Sequence, residues 1–198
     1  MKAILHEASL CEQLGIDRLV VHCGSRKEKK RGIASVAKAV NRVLERFGIS
    51  VMLETAAGQG DSVGRSISEL SEICNRISEK SRVSLCLDTA HLFAAGYNVR
   101  TKVAWKRIIN EVGDCLGPEA LGFFHLNDSK TELGSNVDRH WHIGKGKIGL
   151  AAFRYLLNEQ KFAHLEGVME TPKMGNMDLV NMKVMRSLLP PLVPRPSS

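Results

Sequence analysis

Short apolar runs alternate along this chain with longer amphipathic stretches, and five of the runs end in an acid or a histidine. They are LVVH at His22, VMLE at Glu54, LCLD at Asp88, GFFH at His125 and GVME at Glu170. Each is followed by polar or glycine-rich residues and then by a helical period, the pattern of buried strands that feed loops at one rim. An opening amphipathic helix closes at Gly15, and a strand over Arg18 to His22 leads through the basic loop RKEKKRG to a helix over Ile33 to Phe47, ended by Gly48. The strand ending at Glu54 leads through TAAGQGDSVG to a helix reaching Ile77. The strand ending at Asp88 leads through TAHLFAAGYNVR to a helix over Val103 to Val112. After His125 comes a long polar insertion, LNDSKTELGSNVDRHWHIGKGKIG, whose length and polarity suit a functional loop, and then a helix over Leu150 to Asn158. A last helix over Met177 to Leu189 gives way to PPLVPRPSS, expected to be a disordered tail over 190–198 beside a single domain over 1–189.

Strand then helix, recurring every roughly 30 to 45 residues, is the spacing of parallel strands joined by right-handed crossovers. In a parallel (β/α)8 barrel of the TIM type the C-terminal strand ends form the active-site face, so the five terminal residues meet in space. Five strands do not close such a barrel, which takes about 250 residues. The expectation is therefore an α/β fold holding its last five βα units, with three units missing at the front; an open doubly wound sheet is the alternative.

At 198 residues, 43% hydrophobic and 25% charged, the composition is that of an ordinary globular domain. No apolar run approaches the ~20 residues that span a bilayer, and the first residues read as a helix rather than a signal peptide, so an intracellular protein is expected. A net charge of +7 and a pI near 9.3 suit a polyanionic partner. The five cysteines are odd in number, scattered and never paired as C-x-x-C, which argues for reduced thiols. Cys11, Cys74 and Cys86 read as small core residues, and Cys23 points to the opposite face from His22.

Chemistry gathers at the rim. His91 lies three residues after Asp88, and Asp138 and His140 sit in VDRHWHIG, which brings the candidates to four histidines and four acids. A single strand-end acid or histidine is more often a cap than a ligand. Five of five strand ends is another matter, since average composition supplies such a residue only about one time in six. Imidazoles and carboxylates without thiolates suit Zn²⁺, Mn²⁺ or Fe²⁺, and eight ligands exceed one tetrahedral ion, so a multinuclear site follows. His6 and His164 read as surface residues; His142, two residues from His140, reads either as a partner behind the ligands or as an exposed residue, the second being preferred. The GQG turn at Gly58, Gln59 and Gly60 would allow close approach of a phosphate, and Arg26 to Arg31, Lys130, Arg139, Lys145 and Lys147 place the basic excess on the same rim.

The segments LETAAGQGDSVG, CLDTAHLFAAGY, HLNDSK, GSNVDRHWHIGKGKIG and METP resemble the signature blocks of the endonuclease IV family of apurinic/apyrimidinic endonucleases, from about residue 5 to Glu170 and beyond. The resemblance implies a TIM-type barrel of the xylose-isomerase-like kind with a trinuclear zinc site. Such an enzyme acts in base excision repair, hydrolysing double-stranded DNA 5′ to an abasic nucleotide and leaving a 3′-hydroxyl. It implies metal ligands at His22, Glu54, Asp88, His91, His125, Asp138, His140 and Glu170. Glu54 would bridge two zincs, Asp88, His125 and Glu170 would complete the second, and His91, Asp138 and His140 would hold the third. Glu54 would also be catalytic, and Arg139, Lys29 and Gln59 would contact DNA.

The family's N-terminal portion, with its first three strands and a further His ligand, is not in this chain, which leaves the first zinc with His22 and Glu54 and the total at two or three ions. Trp141 stands where many relatives have a second His. The compartment implied is nucleus or mitochondrion in a eukaryote and cytoplasm in a bacterium. Two rivals remain: a catalytically incomplete product of such an enzyme, and a metal-dependent sugar isomerase or epimerase, against which DRHWH and HLNDSK speak.

Overall fold

The computed structural model describes residues 2–190, so the expected tail lies outside the described residues except for Pro190. Five parallel strands form one sheet: β1 (Arg18–His22), β2 (Ser50–Glu54), β3 (Val83–Asp88), β4 (Leu121–His125) and, last in the chain, β7 (Glu166–Val168). They lie in the order β1-β2-β3-β4-β7, and a separate antiparallel pair, β5 (Asp128–Ser129) and β6 (His140–Trp141), forms between β4 and β7 in sequence. Between the strands run α1 (Lys2–Gln13), α2 (Lys29–Leu44), α3 (Ile67–Cys74), α4 (Thr89–Ala95), α5 (Lys102–Leu116), α6 (Leu150–Asn158) and α7 (Met177–Ser187). This is a partial (β/α) barrel, in agreement with the fold class expected. Among the described residues no helix is long and apolar enough to cross a membrane.

Sequence dictates the layering. Parallel strands covered by helices read as continuous apolar runs, and β2 and β3 are buried over most of their length. Their outward side chains meet the apolar stripes of the helices in one core that includes Val40, Leu53, Leu70, Leu85, Leu87, Trp105 and Phe153. On the concave side the sheet curls far enough for Arg18 on β1 to reach Glu166 on β7, Nη2 to Oε2 2.7 Å, although these strands stand at opposite ends of the order.

Strand register decides which side chains meet. His22 pairs with Glu54, Glu54 with Cys86, Asp88 with His125, and His125 with Val168. Each strand end is thus level with a neighbour's end or two residues below it. The last strand stops at Val168, not at Glu170, and Glu170 lies just past its end.

Other boundaries also differ from expectation. The second helix begins at Lys29 rather than Ile33, because the first turn of a helix needs no intrahelical amide partners and tolerates the polar KKRG. Gly32 is required there, since a Cβ would come within 2.7 Å of Val63 Cγ2. The third helix stops at Cys74 with Asn75 as its cap, short of Ile77, and at its start Ser66 caps it, Oγ accepting from Glu69 N at 3.1 Å. The segment after Asp88, read as a loop, is α4, with Asp88 itself as the cap.

Arg82 joins the third strand to the end of the second helix: its guanidinium donates to Phe47 O (2.8 Å), Ile49 O (3.0 Å) and Leu44 O, and pairs with Glu79. These are carbonyls without helical partners, satisfied by one cation near the negative end of the helix. Arg82→Ala is expected to cost about 1–3 kcal/mol of stability, read as a lower denaturant midpoint with an unchanged slope.

Candidate metal centre

All eight candidate ligands converge above the strand ends. Glu54, 2% exposed, is the hub. Its Oε1 lies 2.7 Å from His125 Nδ1 and 3.3 Å from His91 Nδ1, and its Oε2 lies 3.2 Å from His22 Nε2. His125 Nδ1 also faces Glu170 Oε2 at 3.0 Å and Asp88 Oδ2 at 3.8 Å. Asp138 Oδ2 stands 3.2 Å from His91 Nε2, and His140 Nε2 lies 3.5 Å from both Asp138 Oδ1 and Asp88 Oδ2. Drawn from these eight residues alone, two groups have ligand atoms within 4.8 Å of one another: Asp88, His91 and His140, and Glu54, Asp88, His125 and Glu170.

The histidine tautomers test whether a cation fits. His91 Nδ1 is 2.8 Å from Thr55 O, and His140 Nδ1 is 3.1 Å from Glu170 O. A carbonyl only accepts, so each Nδ1 carries its proton and each Nε2 is turned inward. These two Nε2 atoms face each other at 3.2 Å, bordered by Asp88 and Asp138. Two lone pairs meeting among carboxylates require a cation, and the donor set is the imidazole and carboxylate mixture that divalent transition metals take.

Without a metal, protons fill that role. Burial works to lower the His91 ring pKa, but Asp88, Asp138 and Glu54 outweigh it and raise it to about 11. Burial likewise opposes protonation of His125, yet hydrogen bonds with Cys86, Glu170 and Glu54 raise it to about 12. Burial pushes Glu54 up, and His125 and His91 overcome this to hold it at about 2. Asp138 is held down by its hydrogen bond with His91, and Glu170 by its bond with His125. Asp88 is raised, because its complete burial exceeds the pull of His91 and His140.

Sequence reasoning missed the supporting residues. Asn127, fully buried, donates Nδ2–H to Asp88 Oδ2 at 2.6 Å and accepts from Glu170 N at 2.7 Å, tying two strand ends together. Thr55 Oγ1 accepts from Asp88 N at 3.0 Å. Asp128 is buried and accepts four backbone amides, from Ser129 (2.8 Å), Gly144 (2.9 Å), Gly146 (3.1 Å) and Ile148 (2.9 Å), which folds the GKGKIG segment under the hairpin. The signal was available: HLND follows a strand end directly, where polar side chains must be satisfied locally. His142 is a correction. It is 4% exposed rather than solvated, because Nδ1 meets Asn181 Nδ2 at 3.2 Å while Asn181 also holds Thr171 Oγ1 at 2.8 Å. His6 and His164 are exposed, as read.

Of the expected DNA contacts, Arg139 is exposed and donates Nη1–H to Asp138 O at 2.7 Å. Gln59 is exposed beside the ligand loop, its Oε1 3.4 Å from Asp138 N. Lys29 is engaged: its ammonium donates to Ser62 O at 2.6 Å and pairs with Glu69 at 3.3 Å, so a phosphate would compete with both.

A family model described as a xylose isomerase-like TIM barrel matches residues 1–188. The probable endonuclease 4 of Chloroflexus aggregans is 40% identical over 194 residues, covering 94% of this chain and 68% of that protein. The probable endonuclease 4 of Geobacter sulfurreducens is 37% identical over 196 residues, covering 96% and 66%. Among solved structures, endonuclease IV from Thermus thermophilus superposes with a TM-score of 0.80 at 28% identity, over 93% of this chain and 66% of that one. A D-tagatose 3-epimerase-like protein shares the fold, with a TM-score of 0.70 at 16% identity. The chain spans about two thirds of the length of these relatives.

Two outcomes follow from this geometry. Because His91 and His125 carry protons below about 11 and 12, a bound cation must displace them, and affinity rises with pH through the neutral range. Zinc uptake at pH 7.5 is expected to release about two protons per chain, seen calorimetrically as a heat that depends on the buffer's ionisation enthalpy; a buffer-independent heat would contradict it. Asp128→Ala, which strands four amides, is expected to cost about 3 kcal/mol in chemical unfolding.

Proposed function

The chain belongs to the endonuclease IV family, and we propose that it hydrolyses the phosphodiester bond 5′ to an abasic site in double-stranded DNA, in base excision repair, at a centre of two or three zinc ions. The observation that carries the metal reading is the pair of inward Nε2 atoms of His91 and His140, 3.2 Å apart among carboxylates. The step to DNA comes from the relatives' name, endonuclease 4, and from the exposed Arg139 and Gln59 beside those ligands.

His91, Asp138 and His140 would hold one ion, and Asp88, His125 and Glu170, with Glu54, a second. A third would have, among the described residues, His22 and Glu54, and two ligands bind far more weakly than the three or four usual for zinc. When bound, such ions supply Lewis-acid polarisation of the phosphodiester and a water acidified toward neutral pH. Glu54, ionised and fixed by three imidazoles, orients the attacking water with Oε2, its side nearest the exposed His22. Arg139 emerges between two ligand residues and pairs with a non-bridging phosphate oxygen in competition with its bond to Asp138 O. Gln59 holds the backbone of Asp138 and thus the loop that carries Arg139. Selectivity follows from extrusion, because a sugar without its base is cheaper to turn out of the stack.

A second reading, a chain that holds metal but does not cut, is favoured by one observation: among the described residues His22 has Glu54 as its single carboxylate partner. A duplex carrying one abasic analogue separates the two when incubated with the full chain, then with the chelated chain, then with zinc restored. The proposal expects zinc-dependent nicking 5′ to the lesion, reduced about 100-fold or more by Glu54→Gln. A zinc-loaded chain that leaves the duplex intact would establish the second reading, and unchanged turnover in Glu54→Gln would remove Glu54 from the mechanism.

A further inference from the structure

The register that sets Glu54 level with Cys86 brings a thiol to the cluster from beneath. Cys86 stands two residues before Asp88, so both side chains leave the third strand on the same face. Cys86 Sγ, a Glu54 carboxylate oxygen and a His125 ring nitrogen all lie within 4.8 Å of one another, and all three residues are buried. Among the described residues no other cysteine joins such a group. Cys23, although next to His22, turns away: its Sγ would lie 3.1 Å from a Cβ at Gly64, in the packing between sheet and helices.

We propose that Glu54, Cys86 and His125 form a deeper cation position that selects thiophilic divalent ions, Cd²⁺ above all, over hard ions such as Mn²⁺ and Mg²⁺. The proposal rests on the reading that Glu54 and His125 take a cation, and it adds a soft donor to that pair. Thiolate favours Cd²⁺ and Zn²⁺, whereas carboxylate and water suit Mg²⁺ and Mn²⁺. On coordination the Cys86 thiol and the His125 ring nitrogen that faces the ion each lose a proton, both of which leave through the rim because Cys86 is buried, and each donates an electron pair to the ion with no change of oxidation state. The deeper position shares Glu54 and His125 with the upper one formed with Asp88 and Glu170. An ion drawn down to the thiolate therefore takes two ligands from the upper set, and a soft metal would displace the working ion instead of merely adding to it.

The test uses the full chain stripped with a chelator and titrated with Cd²⁺. Bound metal is counted by mass spectrometry, and the sulfur-to-cadmium charge-transfer band is followed in the near ultraviolet. The expected result is a band of one thiolate per chain that is absent in Cys86→Ser and present in Cys23→Ser and Cys115→Ser. The ¹¹³Cd resonance of the unsubstituted chain, expected at the low field that a sulfur ligand produces, gives the same answer without any variant. Cadmium bound without a sulfur band or shift, or a band that survives Cys86→Ser, overturns the deeper position and leaves the oxygen and nitrogen centre intact. Failure to bind either cadmium or zinc would overturn both.

Discussion

Two carboxylates, Glu54 and Asp88, are buried at the ends of adjacent central strands, and everything around them answers the electrostatic cost of that placement. A buried ionised group is tolerated only when paired and hydrogen-bonded. Among the described residues no Lys or Arg makes a salt bridge to either of them. The countercharge comes instead from histidines, and the acidic groups packed against His91 and His125 raise their pKa values. Imidazoles that hold protons well above their ordinary range mark a place where a divalent ion, if it took the place of those protons, would meet donor atoms already aimed.

Aiming depends on the sheet. Parallel register sets Asp88 level with His125 and lifts Glu170 just past the end of the last strand, so carboxylates from three strands and an imidazole from a fourth share one volume. Asn127 then locks Asp88 to the backbone of Glu170, and Thr55 links the second strand end to the third. The hairpin that carries His140 is held by its own Asp128, whose carboxylate gathers the amides of the segment that follows, and by the His142, Asn181 and Thr171 network beside it. The geometry of the candidate ligands is thus a property of buried hydrogen bonds between elements, the kind of support on which metal sites generally depend.

Much of this was legible in the sequence, for identifiable reasons. The first strand and the sixth helix fall where the apolar runs place them, because RLVVH and LAAFRYLLN have periods that admit one reading. Five of the eight converging residues could be named because strand ends in a parallel barrel share a rim whatever the exact register, and His91, Asp138 and His140 because they sit on the loops leaving that rim. What depends on register could not be read: that Cys86 lies beside Glu54 follows from a two-residue stagger no single strand reveals. Short elements were likewise hidden. TAHLFAA forms one helical stretch only because Asp88 caps it, and HW pairs with DS only because the intervening segment folds back. His142 looked exposed in a polar segment, and its burial requires Asn181, 39 residues away on the last helix.

Metal content is the quantity on which the account stands most directly. The full chain, purified without added metal and dialysed against metal-free buffer, is predicted to retain at least about two zinc ions per molecule by plasma mass spectrometry. A variant carrying His91→Ala and His140→Ala is predicted to lose one of them while keeping its circular dichroism spectrum. A folded, unsubstituted chain that retains no transition metal, and takes up none when zinc is supplied, would contradict the claim that these eight residues are a metal centre.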